Sequence, residues 1–266
     1  MPRSKSSESA SPKPGLFPET PPTTPNLFAG TSGWAYPTWK PGFYPAKTSA
    51  KNFLGFYASQ LNSVEVNFTF RKLPTEAQLN GWLAQTGEGF RFSFKAPQRI
   101  THFSRLRDCH EQLTEFIAAL KPAADAGKLG LLLFQLPPNF KADPARLATF
   151  LADPALIGAP PIAFEFRHES WFSDEIYAVL RAHNAALCIA ETDDLNTPEV
   201  HTSATHTSFR LRRAGGYSPE ELAVFAIRFK ALAKDRQVYA YFKHEDEPTG
   251  ALNATAFLAL ASGAKA

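Results

Sequence analysis

IAFEFRHESW, residues 162–171, runs apolar until charge breaks in near its end. Side chains of an extended strand alternate in direction, which sets Glu165 and Arg167 on one face and Phe164 and Phe166 on the other. The phenylalanines mark the face that packs on a neighbouring layer. Glu165, Arg167 and the following His168 are costly to bury alone, so they pair with one another or face something the protein has to hold.

Outward from this stretch, similar β-rich runs recur about every 30 residues. They are LFAGTSG (27–33), SVEVNFTF (63–70), FRFSFKAP (90–97), LGLLLFQLP (129–137), IAFEFRH (162–168), AALCIAET (185–192), TSFRLRR (207–213) and VYAYFKHED (238–246). Helical patterns separate most of them. TEAQ (75–78) and SPEE (218–221) read as capping boxes, the second with Pro219 at the first helical position. Asp143 before Pro144 reads as another N-cap. DCHEQLTEFIAAL (108–120) and SDEIYAVLRAH (173–183) carry helical periodicity, VFAIRFKAL (224–232) reads as the buried face of a helix, and DDLNTPEVHTSA (193–204) supports one turn at most. Strands alternating with helices imply parallel pairing, and the length suits a closed barrel. The predicted fold is α/β, a TIM-type (β/α)8 barrel forming a single domain over residues 26–266. A doubly wound open sheet is the runner-up, but AGTSGW after the first strand is neither GxGxxG nor a P-loop.

Residues 1–25, rich in Pro, Ser and Thr, read as a disordered tail without the apolar block of a secretory signal. No apolar run approaches the roughly 20 residues of a membrane span. Cys109 and Cys188 lie far apart, so a reducing compartment, the cytoplasm, is expected. The formal charge of +3 permits a locally positive cleft but does not suggest a protein that coats DNA.

In such a barrel the functional residues stand at the C-terminal strand ends. Strand two offers Glu65, Asn67 and Thr69; strand three Lys95; strand four Gln135; strand five Glu165 and Arg167. Strand six offers Glu191 and Asp193, strand seven Arg210 and Arg212, and strand eight Lys243, with His102, His168 and His244 nearby. Cations outnumber carboxylates, which suits an anionic ligand gripped by arginine forks and suits a divalent metal less well. The aromatic loop GWAYPTWKPGFYP (33–45) is either a stacking wall or a self-packed lid. Trp171 reads as a pocket-rim residue, and PQRITHFSRLRD (97–108) as a basic loop. Cys188 reads as core, and no nucleophile motif such as GxSxG is present.

Taken together, GTSGWAYPTWKPGFYP, VEVNFTFRKLP, FSFKAPQRITHFSRL, QLPPNFKAD, AFEFRHESWF and YFKHED resemble the family known as domain of unknown function 72, or YecE-like. The resemblance runs in order from about Phe28 to Phe257. It implies a TIM-barrel-type fold, similar to those of apurinic endonucleases and sugar isomerases, and supplies no activity. It also implies recurrent polar positions at Thr31, Ser32, Trp34, Glu65, Asn67, Lys95, His102, Gln135, Glu165, Arg167, His168, Trp171 and Arg210. Glu191 stands where the family usually has aspartate, and FRKLP and TSATHTSFRLRR also depart from its pattern.

The functional expectation is an acid–base enzyme, a hydrolase or lyase, acting on a phosphate- or carboxylate-bearing small molecule at the rim of the barrel. Glu165, Glu65 and Lys95 are the expected catalytic groups, with Glu165 titrating near working pH. Asn67, Gln135, Arg167, His168, Arg210, Trp34, Trp171 and His102 are expected to bind substrate. No cofactor and no metal are expected. The alternative is a non-catalytic nucleic-acid or nucleotide-binding module, drawn from the basic loop and the aromatics.

Overall fold

A computed structural model describes residues 24–192, 195–243 and 246–263. Residues 1–23 of the expected tail, together with Asp193 and His244, lie outside the described residues. The strands are β1 (Leu27–Thr31), β2 (Ser63–Val66), β3 (Arg91–Lys95), β4 (Leu129–Gln135), β5 (Ile162–Glu165), β6 (Ala186–Glu191), β7 (His206–Leu211) and β8 (Gln237–Phe242). The helices are α1 (Phe53–Gln60), α2 (Glu76–Leu83), α3 (His110–Ala119), α4 (Lys121–Asp125), α5 (Pro144–Leu151), α6 (Asp174–Ala182), α7 (Pro219–Leu232) and α8 (Thr249–Ser262). Both capping boxes form, Thr75 with Gln78 and Ser218 with Glu221, and Asp143 caps α5 by accepting from the Arg146 amide at 3.0 Å.

The eight strands pair in parallel in the order β1-β8-β7-β6-β5-β4-β3-β2, a nearly closed barrel with the helices outside. Outward phenylalanines pack in register against the helix layer. Phe134 stacks on Phe164 with ring centroids 5.3 Å apart, and Phe164 on Phe166 at 5.9 Å. The barrel interior is a separate cluster of Leu131, Leu133, Ala163, Ala186, Cys188, Tyr239 and Tyr241. Within it the Tyr241 hydroxyl meets Ser63 Oγ at 2.7 Å and Ser93 Oγ at 2.6 Å, satisfying polar groups that burial would otherwise penalise. Among the described residues no helix is long and apolar enough to cross a membrane.

The ring closes between β1 and β2 without a strand ladder. Side chains do the joining. Asn62 donates its amide to the Leu27 carbonyl at 2.8 Å and accepts the Ala29 N–H at 2.8 Å, as a strand neighbour would. The Tyr57 hydroxyl accepts the Thr31 N–H at 2.7 Å and donates to the Ser63 carbonyl at 3.0 Å. The approach is so close that a Cβ on Gly30 would stand 1.8 Å from the Ser63 oxygen, so only glycine fits.

Two sequence expectations are corrected. Strand two does not run to residue 70: it ends at Val66, and Asn67 turns to φ −85°, ψ −13° to begin a 3-10 turn over Phe68–Phe70. Thr69 therefore points away from the barrel axis, its hydroxyl bonding the Val66 and Lys95 carbonyls at 3.0 and 2.7 Å. Helix α7 is not uniformly buried over 224–232 either. Phe225, Ala226 and Phe229 pack inward, while Val224 and Ile227 are exposed.

Candidate functional site

The strand alternation that points phenylalanine outward brings Glu65, Lys95, Glu165 and Arg210 together at the C-terminal end of the barrel. Arg210 is 2% exposed and lies between two fully buried carboxylates. Its Nη2 donates to Glu65 Oε1 at 2.7 Å, and its Nη1 donates to Glu165 Oε2. The other oxygen of Glu165 accepts from Gln135 Nε2 at 3.0 Å and Arg167 Nη1 at 3.1 Å. Ser32, just beyond β1, donates to Glu65 at 2.7 Å and accepts from Arg212 Nη1 at 3.1 Å. Each carboxylate thus sits among charge-assisted hydrogen bonds, the condition under which burial of an ion is tolerated. Glu65 Oε2 is the exception, a buried oxygen with no hydrogen-bond partner among the described residues.

This geometry decides which groups can titrate. Burial alone would raise the pKa of Glu165, but the guanidiniums of Arg210, Arg167 and Arg212 and the Gln135 amide hold it at about 2. The expectation that Glu165 titrates near working pH is therefore corrected: it is a permanent anion that fixes Arg210. Burial opposes the charge on Arg210 as well, yet Glu165 and Glu65 raise its pKa above the ordinary value. Lys95 behaves differently. Desolvation and the repulsion of Arg210 outweigh the attraction of Glu65 and Glu165 and bring its ammonium down to about 8. Burial and Arg210 likewise lower Arg212 to about 10.

Neither Lys95 nor Arg212 has a carboxylate within 4.0 Å among the described residues. Lys95 Nζ rests 4.3 Å from the centroid of the Phe70 ring. Lys128, at the opposite end of the barrel, shows what a structural lysine looks like. Its ammonium is spent on the Leu83 carbonyl at 2.8 Å, the Thr86 carbonyl at 2.7 Å and the Thr86 hydroxyl at 3.1 Å, closing the end of α2.

Other expected site residues fall out differently. Trp171 is fully buried; it stacks on Phe166 at 4.5 Å and gives its indole N–H to the Phe140 carbonyl at 2.6 Å. Its assignment to the pocket rim is corrected, because no face of the ring is left for a ligand. Glu191 is corrected too. Cys188 belongs to the interior of the barrel, so Leu187, Ile189 and Glu191 point outward, and Glu191 accepts from the Tyr217 hydroxyl at 3.0 Å. His168 Nδ1 caps a 3-10 turn by accepting the Ser170 N–H at 3.1 Å. His102 stands edge-on to Phe70 at 4.9 Å and meets Thr101 Oγ1 at 2.9 Å; burial, Lys95 and Arg105 lower its pKa. Asn67 is half-buried, with Oδ1 unbonded among the described residues. Trp34 is half-buried against Trp82 at 5.2 Å. The rest of the aromatic loop is a self-packed lid, with Trp39 and Tyr44 fully buried and Tyr44 stacked on Phe53 at 4.3 Å. Phe70, the seat of Lys95, gives no signal in the sequence, because the turn that swings it there begins one residue past the strand.

The profile of the family described as "Protein of unknown function DUF72" matches residues 28–266. The chain is 31% identical over 155 residues to UPF0759 protein YunF of Bacillus subtilis, covering 57% of this chain and 54% of YunF. It is 32% identical over 148 residues to UPF0759 protein YecE of Escherichia coli K12, covering 55% and 50% respectively. The matched part thus spans about half the length of these relatives. Among solved structures, a DUF72 family protein (TM1631) from Thermotoga maritima superposes with a TM-score of 0.74 at 25% identity, over 87% of this chain and 97% of that one. A DUF72 family protein (EF0366) from Enterococcus faecalis shares the fold with a TM-score of 0.66 at 18% identity, over 90% and 98%. With the family profile covering the whole barrel, the chain belongs to the DUF72 family.

Proposed function

We propose that the barrel mouth is the active site of a hydrolase or lyase that acts on a small anionic molecule, one bearing phosphate or carboxylate. The observation that carries this reading is the pair of largely desolvated cations, Arg212 and Lys95, that no carboxylate neutralises among the described residues. Both internal carboxylates are already committed to Arg210. An anion entering the mouth supplies the missing counter-charge, with Arg212 and Arg167 as the fork that receives it. Lys95, its ammonium brought down to about 8, takes the acid–base role. Glu165 and Glu65 position the arginines.

The test is isothermal titration calorimetry against inorganic phosphate and a panel of phosphorylated and carboxylated metabolites. At least one compound is expected to bind below millimolar, and Arg212→Gln is expected to weaken it at least tenfold while the protein stays folded. Binding that is indifferent to Arg212→Gln would overturn the reading.

A second reading, nucleotide or nucleic-acid binding without chemistry, is favoured by one feature. A cleft of about 510 Å³ beside the mouth is lined by Phe70, Arg71, Lys72, Arg99 and Phe103, with Phe103 71% exposed. Phosphate contacts there would make affinity for a short single-stranded oligonucleotide fall steeply with salt. The expected slope of log K against log salt is about −2 for three such contacts, and it flattens in Arg99→Gln. A slope near zero would remove this reading.

A further inference from the structure

We propose that Lys95 is a covalent nucleophile, its amine condensing with the carbonyl of an oxo acid or oxo phosphate to form an imine. This rests on the reading of the mouth as an anion site and names the substrate class: a molecule with a carbonyl a few atoms from its anionic group.

Three observations converge. The first is the amine itself. An amine that attacks a carbonyl must be unprotonated and unencumbered, and Lys95 accepts and donates no side-chain hydrogen bond among the described residues. The groups facing it are Arg210 from β7, Arg212 just beyond it, Glu65 from β2, Glu165 from β5 and His102 from the turn at Arg99–Phe103. Their balance, with desolvation, brings the ammonium down to about 8, so far more of the amine is free near neutral pH than in an ordinary lysine.

The second is the Phe70 ring. It holds the ammonium face-on at 4.3 Å, and the same face accommodates the iminium cation that replaces it. The third is Glu65 Oε2, a buried acceptor without a partner among the described residues, on a carboxylate that attracts the Lys95 charge. A carbinolamine O–H or an iminium N–H would satisfy it.

Two other nucleophiles of the barrel are poorly placed to compete. Cys188 is buried in the interior, where desolvation drives its thiol pKa up. Ser32 is fully buried and engaged with Glu65 and Arg212.

The step balances without a redox partner. The neutral amine adds to the C=O carbon to give a carbinolamine, with the nitrogen proton passing to the oxygen. Loss of water, the hydroxyl leaving with the remaining nitrogen proton, gives the neutral imine, which takes a proton from solvent to become the iminium, while Arg212 and Arg167 hold the substrate anion. The imine withdraws electrons from the adjacent carbon, which is the activation a lyase needs to break a carbon–carbon or carbon–oxygen bond there.

The test incubates the full chain with pyruvate, glyoxylate or dihydroxyacetone phosphate and reduces with sodium borohydride. Proteolysis and mass spectrometry then locate the adduct. The expected result is one secondary-amine adduct on the peptide containing Lys95, at least tenfold above any other lysine for one or more probes. Its yield rises with pH and levels off above about pH 8. It is lost in Lys95→Arg, with melting used to verify that this variant folds, and an excess of inorganic phosphate suppresses it. Calorimetry with the same probes separates the two claims. Binding without an adduct at Lys95 overturns the imine and leaves the anion site standing. Neither binding nor adduct overturns both, and adducts spread evenly over surface lysines overturn the imine.

Discussion

Replacing Arg210 by methionine is expected to lower the melting temperature by about 10 °C at pH 7. Among the described residues, Arg210 is the one that bonds both Glu65 and Glu165. Removing one partner of a buried ionic group leaves uncompensated charge and costs about 3–5 kcal/mol, which is about 10 °C for a domain of this size. In the wild type, Glu165 is depressed from 4.5 to about 2, so its contribution of about 3 kcal/mol is complete above the unfolded pKa. That contribution is lost as pH falls through about 2. In Arg210→Met, Glu165 keeps Arg167 and Gln135, but Glu65 is left with Ser32. Its carboxylate is then a buried charge without a guanidinium beside it. Adding Glu65→Gln should recover part of the loss. Thermal melts across pH decide the matter, and a variant that melts like the wild type at pH 7 would show that Arg210 does not hold the layer together.

The second large effect is at Asn62. Asn62→Leu keeps the volume but leaves the Leu27 carbonyl and the Ala29 N–H, both buried at the gap between β1 and β2, without partners. Each unsatisfied group costs about 1–3 kcal/mol, so a loss of about 2–6 kcal/mol and a fall of 5–15 °C are expected. Tyr57→Phe removes the second pair of bonds and should cost a comparable amount. Because the two side chains serve one gap, the double variant should deviate from additivity. Melting and chemical denaturation of the two single variants and the double measure this, and losses below about 1 kcal/mol would mean that the ring closes by other contacts.

Local physics made most of the barrel readable. The Ser218–Glu221 and Thr75–Gln78 boxes are self-contained signals, and each starts a helix where it should. Strands with phenylalanine on alternate positions declared their own phase, which is why Glu65, Lys95, Glu165 and Arg210 were legible as one group. AALCIAET is apolar on both faces and declares none, so Glu191 was assigned to the wrong side. Trp171 follows four polar residues, and only the tertiary packing of Phe140 and Phe166 shows that it is core. Asn62 and Tyr57 look unremarkable in sequence because their partners are backbone groups 33 and 26 residues away. The anchoring of Glu165 was equally hidden: a sequence shows which charges exist, but the pairing that sets a pKa depends on which guanidinium lies 3 Å away.

Ser32 follows the first strand, Glu65 belongs to the second, and the hydrogen bond between them spans the same gap that Asn62 and Tyr57 stitch lower down. Arg212, one of the two arginines that would receive a substrate anion, also bonds Ser32. If an anion binds there as proposed, its occupancy of the mouth and the integrity of the ring would be thermodynamically linked. A bound anion that draws Arg212 off Ser32 loosens the top clasp, and one that bridges them tightens it. On the proposed reading, the gap between β1 and β2 would thereby report whether an anion occupies the mouth.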